Sequence, residues 1–223
     1  MIHRFLLRAV PSSTGRLLLV LYWKRFRFPE PEKEKTMKTF RLLLGSFFAL
    51  IAIVLRFDPG HAPNLVPFGA FALWAGYHLE RRTALFLVAA SLLVSDIVIG
   101  FYAWKIMLAV YVATVLFIPI GAEVRSFVRR RSWWAGVLAP FAGAVAAGST
   151  LFFFITNTAV WLWGGIYPRT SAGLATCLSA GLPFWRNSAI AEAYGVAIFF
   201  GLSAALHVLF RKEGTWRIVY RRS

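Results

Sequence analysis

The chain has 223 residues, of which 59% are hydrophobic and only 15% charged, with 25 Lys and Arg against 9 Asp and Glu. About a quarter of the residues of a soluble domain are charged, so this composition excludes an ordinary soluble enzyme. The net charge of +16 does not indicate nucleic-acid binding, because the basic residues stand at the ends of apolar runs. The single cysteine excludes a scaffold built on intrachain disulfides. These features are typical of a polytopic membrane protein.

The first 36 residues form a basic extension whose apolar stretch, Leu17 to Trp23, is too short to span a bilayer. Met37 followed by Lys38 and an apolar run is typical of a bacterial start, so an over-extended reading frame is a second explanation of this extension. The predicted organisation is an extension at 1–36, a membrane domain at 37–210 and a basic tail at 211–223.

Six apolar runs approach the roughly 20 residues that a helix needs to cross the hydrocarbon core. We predict an all-α bundle of six transmembrane helices at Phe40–Phe57, Leu65–Leu79, Thr83–Tyr102, Ile106–Ala122, Trp133–Asn157 and Ser188–Phe210. The second run begins near Pro67, and proline is well tolerated in the first turn of a helix. Ser171–Trp185 is apolar but short, and it contains Pro183, so we predict a re-entrant or interfacial segment there.

The basic residues predict the orientation of these spans. With the N-terminus inside, 21 of the 25 Lys and Arg fall on inner segments, and four fall outside: Arg56, Lys105, Arg169 and Arg186. The positive-inside rule then places both termini in the cytoplasm. We expect the protein to lie in the bacterial inner membrane, with the lipid bilayer as its environment.

Two acidic residues, Asp96 and Glu192, lie within predicted spans. Charges inside a membrane are costly, so they mark candidate functional sites or buried hydrogen-bonded groups. At 1.5 Å per residue, Asp96 lies about 9 Å and Glu192 about 7.5 Å inside the predicted outer ends of their spans. The sequence therefore predicts two acids at similar depth.

Further polar residues collect at the predicted outer ends of the helices, where loops on a rigid scaffold often bind ligands. Asp96 and Glu192 suit an amine or a cation, Arg186 suits an anionic group, and Tyr102 offers a ring for stacking. The same residue types are also common at membrane interfaces. The candidate substrate-binding residues are Asn64, Asp96, Tyr102, Asn157, Tyr167, Arg186, Asn187 and Glu192.

Sequence signatures of catalysis are missing. The chain has no nucleophile elbow, no His-Glu-x-x-His and no phosphate-binding loop. Its four histidines have no spacing typical of a metal site. We therefore expect no enzymatic activity, no metal and no cofactor.

Several short motifs resemble those of an uncharacterised family of small bacterial integral membrane proteins. They are Pro63-Asn64-Leu65-Val66-Pro67-Phe68-Gly69-Ala70, Ser95-Asp96, Gly100-Phe101-Tyr102, Thr156-Asn157, Tyr167-Pro168 and Leu182-Pro183-Phe184-Trp185-Arg186-Asn187. That family is in turn distantly similar to the substrate-binding (S) components of energy-coupling factor transporters. The resemblance implies six helices, an outer substrate pocket closed by the first outer loop, and a transmembrane coupling subunit with two ATPases.

In such transporters the coupling subunit is contacted through small residues of the first helix, and the resemblance implies this role for Gly45, Ala49 and Ala52. The leading hypothesis is therefore a membrane protein that binds a small solute at its outer face for uptake, with the loop containing Asn64 as a lid. The alternatives are a non-transporting structural or assembly factor, and an intramembrane enzyme that uses Asp96 and Glu192 as a carboxylate pair.

Overall fold

A computed structural model of the chain describes residues 31–57, 64–130 and 135–212. The described residues are mostly helical and contain no strand, which confirms the predicted all-α class. The extension up to residue 30, the lid segment at 58–63 and the tail after Lys212 lie outside them. The helices are α1 (Pro31–Phe57), α2 (Phe68–His78), α3 (Arg81–Ile99), α4 (Trp104–Val115), α5 (Phe117–Arg129), α6 (Ala135–Trp163) and α7 (Ser171–Lys212).

The chain divides into two compact units after Thr39. Among the described residues, the first unit contains only the beginning of α1. The second unit, 40–223, contains the rest of α1 and all the other helices, and the contacts below belong to it.

Five helical segments are long and apolar enough to cross a membrane, so the chain is a multi-pass membrane protein. They are Lys35–Phe57, Arg81–Ile99, Trp104–Arg129, Leu138–Trp163 and Ser171–Leu209. The fourth predicted span corresponds to α4 and α5 together, which are separated at Leu116. Pro119 accounts for the boundary, because it has no amide proton to bond the carbonyl of Val115.

The second predicted span differs most from the structure, where α2 has only 11 residues, about 16 Å of helix. It is preceded by non-helical backbone at Leu65–Pro67. Phe68, at its start, lies near Arg56 at the end of α1, whereas Trp74 packs on Phe48. The chain therefore runs back along α1 through a short non-helical segment and a half-length helix. Hydropathy did not distinguish this half-helix from a full span.

The last helix also differs from the prediction. A single helix, α7, runs through 42 residues with Pro183 inside it, where the sequence predicted a re-entrant segment followed by a separate span. Pro183 is exposed, and transmembrane helices tolerate proline where nearby groups satisfy the freed carbonyl. The segment before Pro183 packs along α6, since the Sγ of Cys177 lies 3.4 Å from the carbonyl oxygen of Asn157.

Helix α2 is the centre of the bundle, and every residue from Phe68 to Gly76 is buried. Two glycines let its backbone approach α5. A Cβ on Gly76 would lie 2.0 Å from the carbonyl oxygen of Ile118, and a Cβ on Gly121 would lie 2.1 Å from that of Leu73. In lipid, where helices gain little hydrophobic free energy by associating, such close approach supplies the packing that holds them together.

Aromatic packing joins α2 to α1 and α7. Phe48 contacts Trp74 edge-on and stacks on Phe199, and the indole nitrogen of Trp74 donates a 2.8 Å hydrogen bond to Ser203. Gly45, Ala49 and Ala52 face this core and are buried. The expectation that these three residues offer a surface to a coupling subunit is therefore wrong, because other helices of the same chain already cover them.

Candidate functional site

A polar cluster lies where α1, α3 and α4 meet near the predicted outer ends of α1 and α3. We define it as Arg56, Ser95, Asp96, Tyr102 and Tyr111. Arg56 contacts the Asp96 carboxylate at 2.7 Å and donates a 2.6 Å hydrogen bond to Ser95 Oγ. Tyr111 donates a 2.7 Å hydrogen bond to Asp96 Oδ2. Two neighbouring helices thus hold the Asp96 side chain, which is completely buried.

The two carboxylate oxygens of Asp96 differ in their bonding. Oδ2 accepts the Tyr111 hydrogen bond, whereas Oδ1 lies 2.7 Å from Arg56 Nη2 without the geometry of a hydrogen bond. Among the side chains that the structure describes, one buried nitrogen or oxygen atom has no hydrogen-bond partner, and this atom is Oδ1 of Asp96. Arg56 balances the charge of this oxygen, and a carboxylate oxygen has two lone pairs, so Oδ1 has capacity for a further hydrogen-bond donor.

Tyr102 is the most exposed member of the cluster, with an exposed fraction of 40%. Partial burial and the Asp96 carboxylate raise the pKa of Tyr102, although Arg56 acts in the opposite direction. The hydroxyl of Tyr102 therefore stays protonated at neutral pH and remains a hydrogen-bond donor. Arg56 is also accessible in part, with 20% of its side chain exposed.

The second buried acid, Glu192, closes the start of α2. Its two oxygens accept hydrogen bonds from the backbone amides of Gly69, at 3.0 Å, and Ala70. Pro67 provides no side-chain cap for these donors, so a carboxylate from α7 replaces one. The positive end of the α2 dipole lies at the same place and favours the ionised form of this carboxyl group. A Cβ on Gly69 would lie 2.7 Å from Glu192 Oε1, so glycine makes the contact possible.

The depth of about 7.5 Å for Glu192 assumed that a span begins near Asn187, and it stays a prediction. In the structure α7 is continuous through that point and begins at Ser171, about 31 Å from Glu192 along the helix axis. At the level of Gly69, the ring of Phe117 fills the space that a Cβ on Gly69 or Gly148 would need. Glu192 thus lies in the interior of the bundle, whereas Asp96 lies one turn from the end of α3.

The other predicted site residues lie in two regions. Asn64 is exposed and adopts a positive φ of 61°, just before the segment that enters α2. Asn157, Tyr167, Arg186 and Asn187 belong to the α6–α7 hairpin; Asn157 Nδ2 donates to the carbonyl of Phe153, and Arg186 is exposed. The structure therefore brings Asp96 and Tyr102 together and positions Glu192 at the start of α2, whereas Asn157 contacts residues of the α6–α7 hairpin.

Sequence reasoning missed three members of the polar cluster: Arg56, Ser95 and Tyr111. Arg56 was only counted among the four outer basic residues, although its position on the same predicted side as Asp96 was a signal that the two could pair. For Tyr111 no local pattern gave a signal, because its contact depends on how α3 and α4 pack. No group of three metal-ligating side chains occurs in the described ranges.

Replacing Glu192 tests its role as the cap of α2. Glu192→Leu leaves the Gly69 and Ala70 amides buried without acceptors, so we expect it to destabilise the protein by about 2–4 kcal/mol. Glu192→Gln keeps one acceptor oxygen and should lose about half as much free energy of unfolding. Unfolding can be followed by intrinsic tryptophan fluorescence in detergent. The control is Glu123→Gln, at an exposed position of α5, and an equal effect of both glutamine variants would contradict the capping role.

Comparison with known proteins identifies the family. A family of unknown function, DUF6580, matches residues 35–213, and the chain belongs to it. No curated protein and no solved structure matches the chain.

Proposed function

We propose that the protein binds a small solute at the polar cluster for uptake from the outer side of the membrane. The observation that carries this proposal is the buried Asp96 Oδ1, which has no hydrogen-bond partner and lies beside the partly exposed Arg56. A solute with an amine, amide or hydroxyl group would supply the missing donor. An acidic group on the same solute would be attracted to Arg56.

The lengths of the helices support access from outside. Arg56 and Asp96 lie within one turn of the ends of α1 and α3, at Phe57 and Ile99. By contrast, α4 extends seven residues, about 10 Å, beyond Tyr111 towards Trp104. Arg56 and Asp96 thus lie near the ends of their helices, whereas α4 continues beyond Tyr111. The S components of energy-coupling factor transporters have the kind of outer site proposed here. An energy-coupling partner would have to use a surface other than the buried Gly45 face.

The carboxylates favour binding over catalysis. Asp96 is held by Arg56 and Tyr111, whereas Glu192 is held by backbone amides of α2. Since each acid has its own partners, the arrangement does not favour a pair acting together on one substrate.

A helix-binding assembly factor is the second candidate. A groove of about 500 Å³ between α4 and α6 is lined mostly by apolar side chains such as Leu108, Val112 and Phe154, and Lys105 lies at its predicted outer end. Such a groove fits a partner helix. Co-purification of a stable membrane partner that is lost in Val112→Trp would favour this function over solute binding.

Solute binding is tested on protein purified from its own membrane, with retained metabolites identified by mass spectrometry. We expect the wild-type protein to retain a solute. Tyr102→Phe should retain this solute at least about tenfold less well, because a hydrogen bond to a charged or polar ligand contributes about 1.5 kcal/mol. Asp96→Asn should also lose it. Tyr194→Phe is the matched control, since Tyr194 is an exposed tyrosine of α7. Equal retention by Tyr102→Phe and Tyr194→Phe would contradict the proposal.

A further inference from the structure

A second groove lies at the opposite end of the bundle, which we name the arginine end because Arg81, Arg125, Arg129 and Arg130 line it. The groove has a volume of about 760 Å³, within the range of ligand-binding sites. Glu123 is the only acidic residue among the described residues that line the groove. The four arginines outnumber it, so the local charge is strongly positive. Arg41, on α1, lies close enough to Arg125 and Arg129 to be repelled by them.

The groove also has an apolar wall that continues towards the middle of the bundle. Leu85 of α3, Val115 and Leu116 at the junction of α4 and α5, and Ile118 and Ala122 of α5 form it. A ligand that fits must therefore have an anionic head and an apolar body. A free inorganic anion would satisfy the arginines but would leave the apolar wall uncovered.

We propose that this groove binds an anionic phospholipid of the cytoplasmic leaflet, with its phosphate on the arginines and its acyl chains along the Leu85 and Ile118 wall. The positive-inside rule places this end at the cytoplasmic surface, where anionic lipids attract basic residues and basic pockets between helices bind such headgroups. The segments of this chain outside the described residues are poor alternative occupants. Residues 1–30 contain six Lys and Arg and one acid, and residues 213–223 contain three Arg and one acid.

The test measures the lipids that the full-length protein retains after detergent exchange, by native mass spectrometry. Phosphatidylglycerol and phosphatidylcholine with identical acyl chains are offered together. We expect the wild type to prefer phosphatidylglycerol, and Arg125→Gln with Arg129→Gln to reduce that preference about 30-fold, since each basic residue near a headgroup contributes about fivefold. Equal retention of the two lipids by the wild type would overturn the proposal.

Two further variants keep the test decisive if the double variant folds poorly. Arg82→Gln is the matched control, because Arg82 is exposed and adjacent to Arg81 but does not line the groove. It should keep the preference. Ala122→Trp fills the groove without changing its charge, and Ala122 is exposed, so folding is expected to be unaffected. This variant should lose the preference. Displacement of phosphatidylglycerol by millimolar inorganic phosphate alone would assign the site to a free anion and overturn the lipid proposal.

Discussion

Gly76→Ala is expected to prevent correct folding or to destabilise the protein by about 3 kcal/mol or more. A Cβ at this position would lie 2.0 Å from the carbonyl oxygen of Ile118, which is backbone and cannot rotate away. The clash is removed only if α2 moves away from α5, and this movement would loosen the packing at the centre of the bundle. The measurement is the yield of monodisperse protein by fluorescence-detected size-exclusion chromatography, together with its melting temperature.

Gly143 provides the control for Gly76. It also lies within a helix, α6, but a Cβ there would meet no atom within 4 Å. Gly143→Ala should therefore be neutral or should stabilise the protein by up to about 1 kcal/mol through helix propensity. Gly121→Ala should behave like Gly76→Ala, because it meets the Leu73 carbonyl oxygen from the opposite side. A wild-type melting temperature for Gly76→Ala would show that α2 and α5 do not pack this closely.

Removing Asp96 has the second large effect. In Asp96→Leu, Arg56 keeps its charge in a largely buried position, while its carboxylate partner and the acceptor for Tyr111 are lost. Breaking a buried ion pair in this way costs about 3–5 kcal/mol, and the partial exposure of Arg56 places this pair near the lower value. Chemical unfolding in mild detergent, followed by fluorescence, measures the loss.

A double-mutant cycle separates the ion pair from simple packing. Arg56→Met in the Asp96→Leu background removes the unpaired charge, so it should recover most of the lost stability. Tyr111→Phe alone should cost about 1 kcal/mol, the value of one hydrogen bond. If Arg56→Met lowered stability equally in both backgrounds, Arg56 and Asp96 would be energetically independent and the cluster would not act as a unit.

The long helices could be predicted from the sequence because each is a run of apolar residues ended by charge. Predicted span Thr83–Tyr102, for example, corresponds to α3 at Arg81–Ile99. Two features could not be predicted in this way. Hydropathy measures burial from water and does not distinguish crossing the membrane from being enclosed by other helices, so α2 was predicted too long. Pro183 was interpreted as a helix end, although a proline on an exposed helix face costs one hydrogen bond and leaves the helix continuous.

The candidate site was predicted only in part. Asp96 and Glu192 were identified because an acid within an apolar run needs a partner, and both have one. Which partner each acid meets depends on tertiary packing. Arg56 reaches Asp96 across a helix pair, and the acceptor role of Glu192 arises because α2 begins inside the protein and exposes its first amides. The position of Arg56 on the same predicted side as Asp96 was an indirect signal of the first contact, whereas the second has no signal in local sequence.

The continuous helix α7 connects three contacts that lie far apart in the membrane. Cys177 meets α6, Glu192 meets the start of α2, and Ser203 meets Trp74. At 3.6 residues per turn these three residues lie within about 80° of one another around the helix, so a single stripe makes all three contacts. Pro183 lies between the first of these contacts and the other two, and an interior proline is a position at which helices bend. The part of α7 from Glu192 to Ser203 would therefore move as one body against α2, while Pro183 absorbs a shift of the outer hairpin.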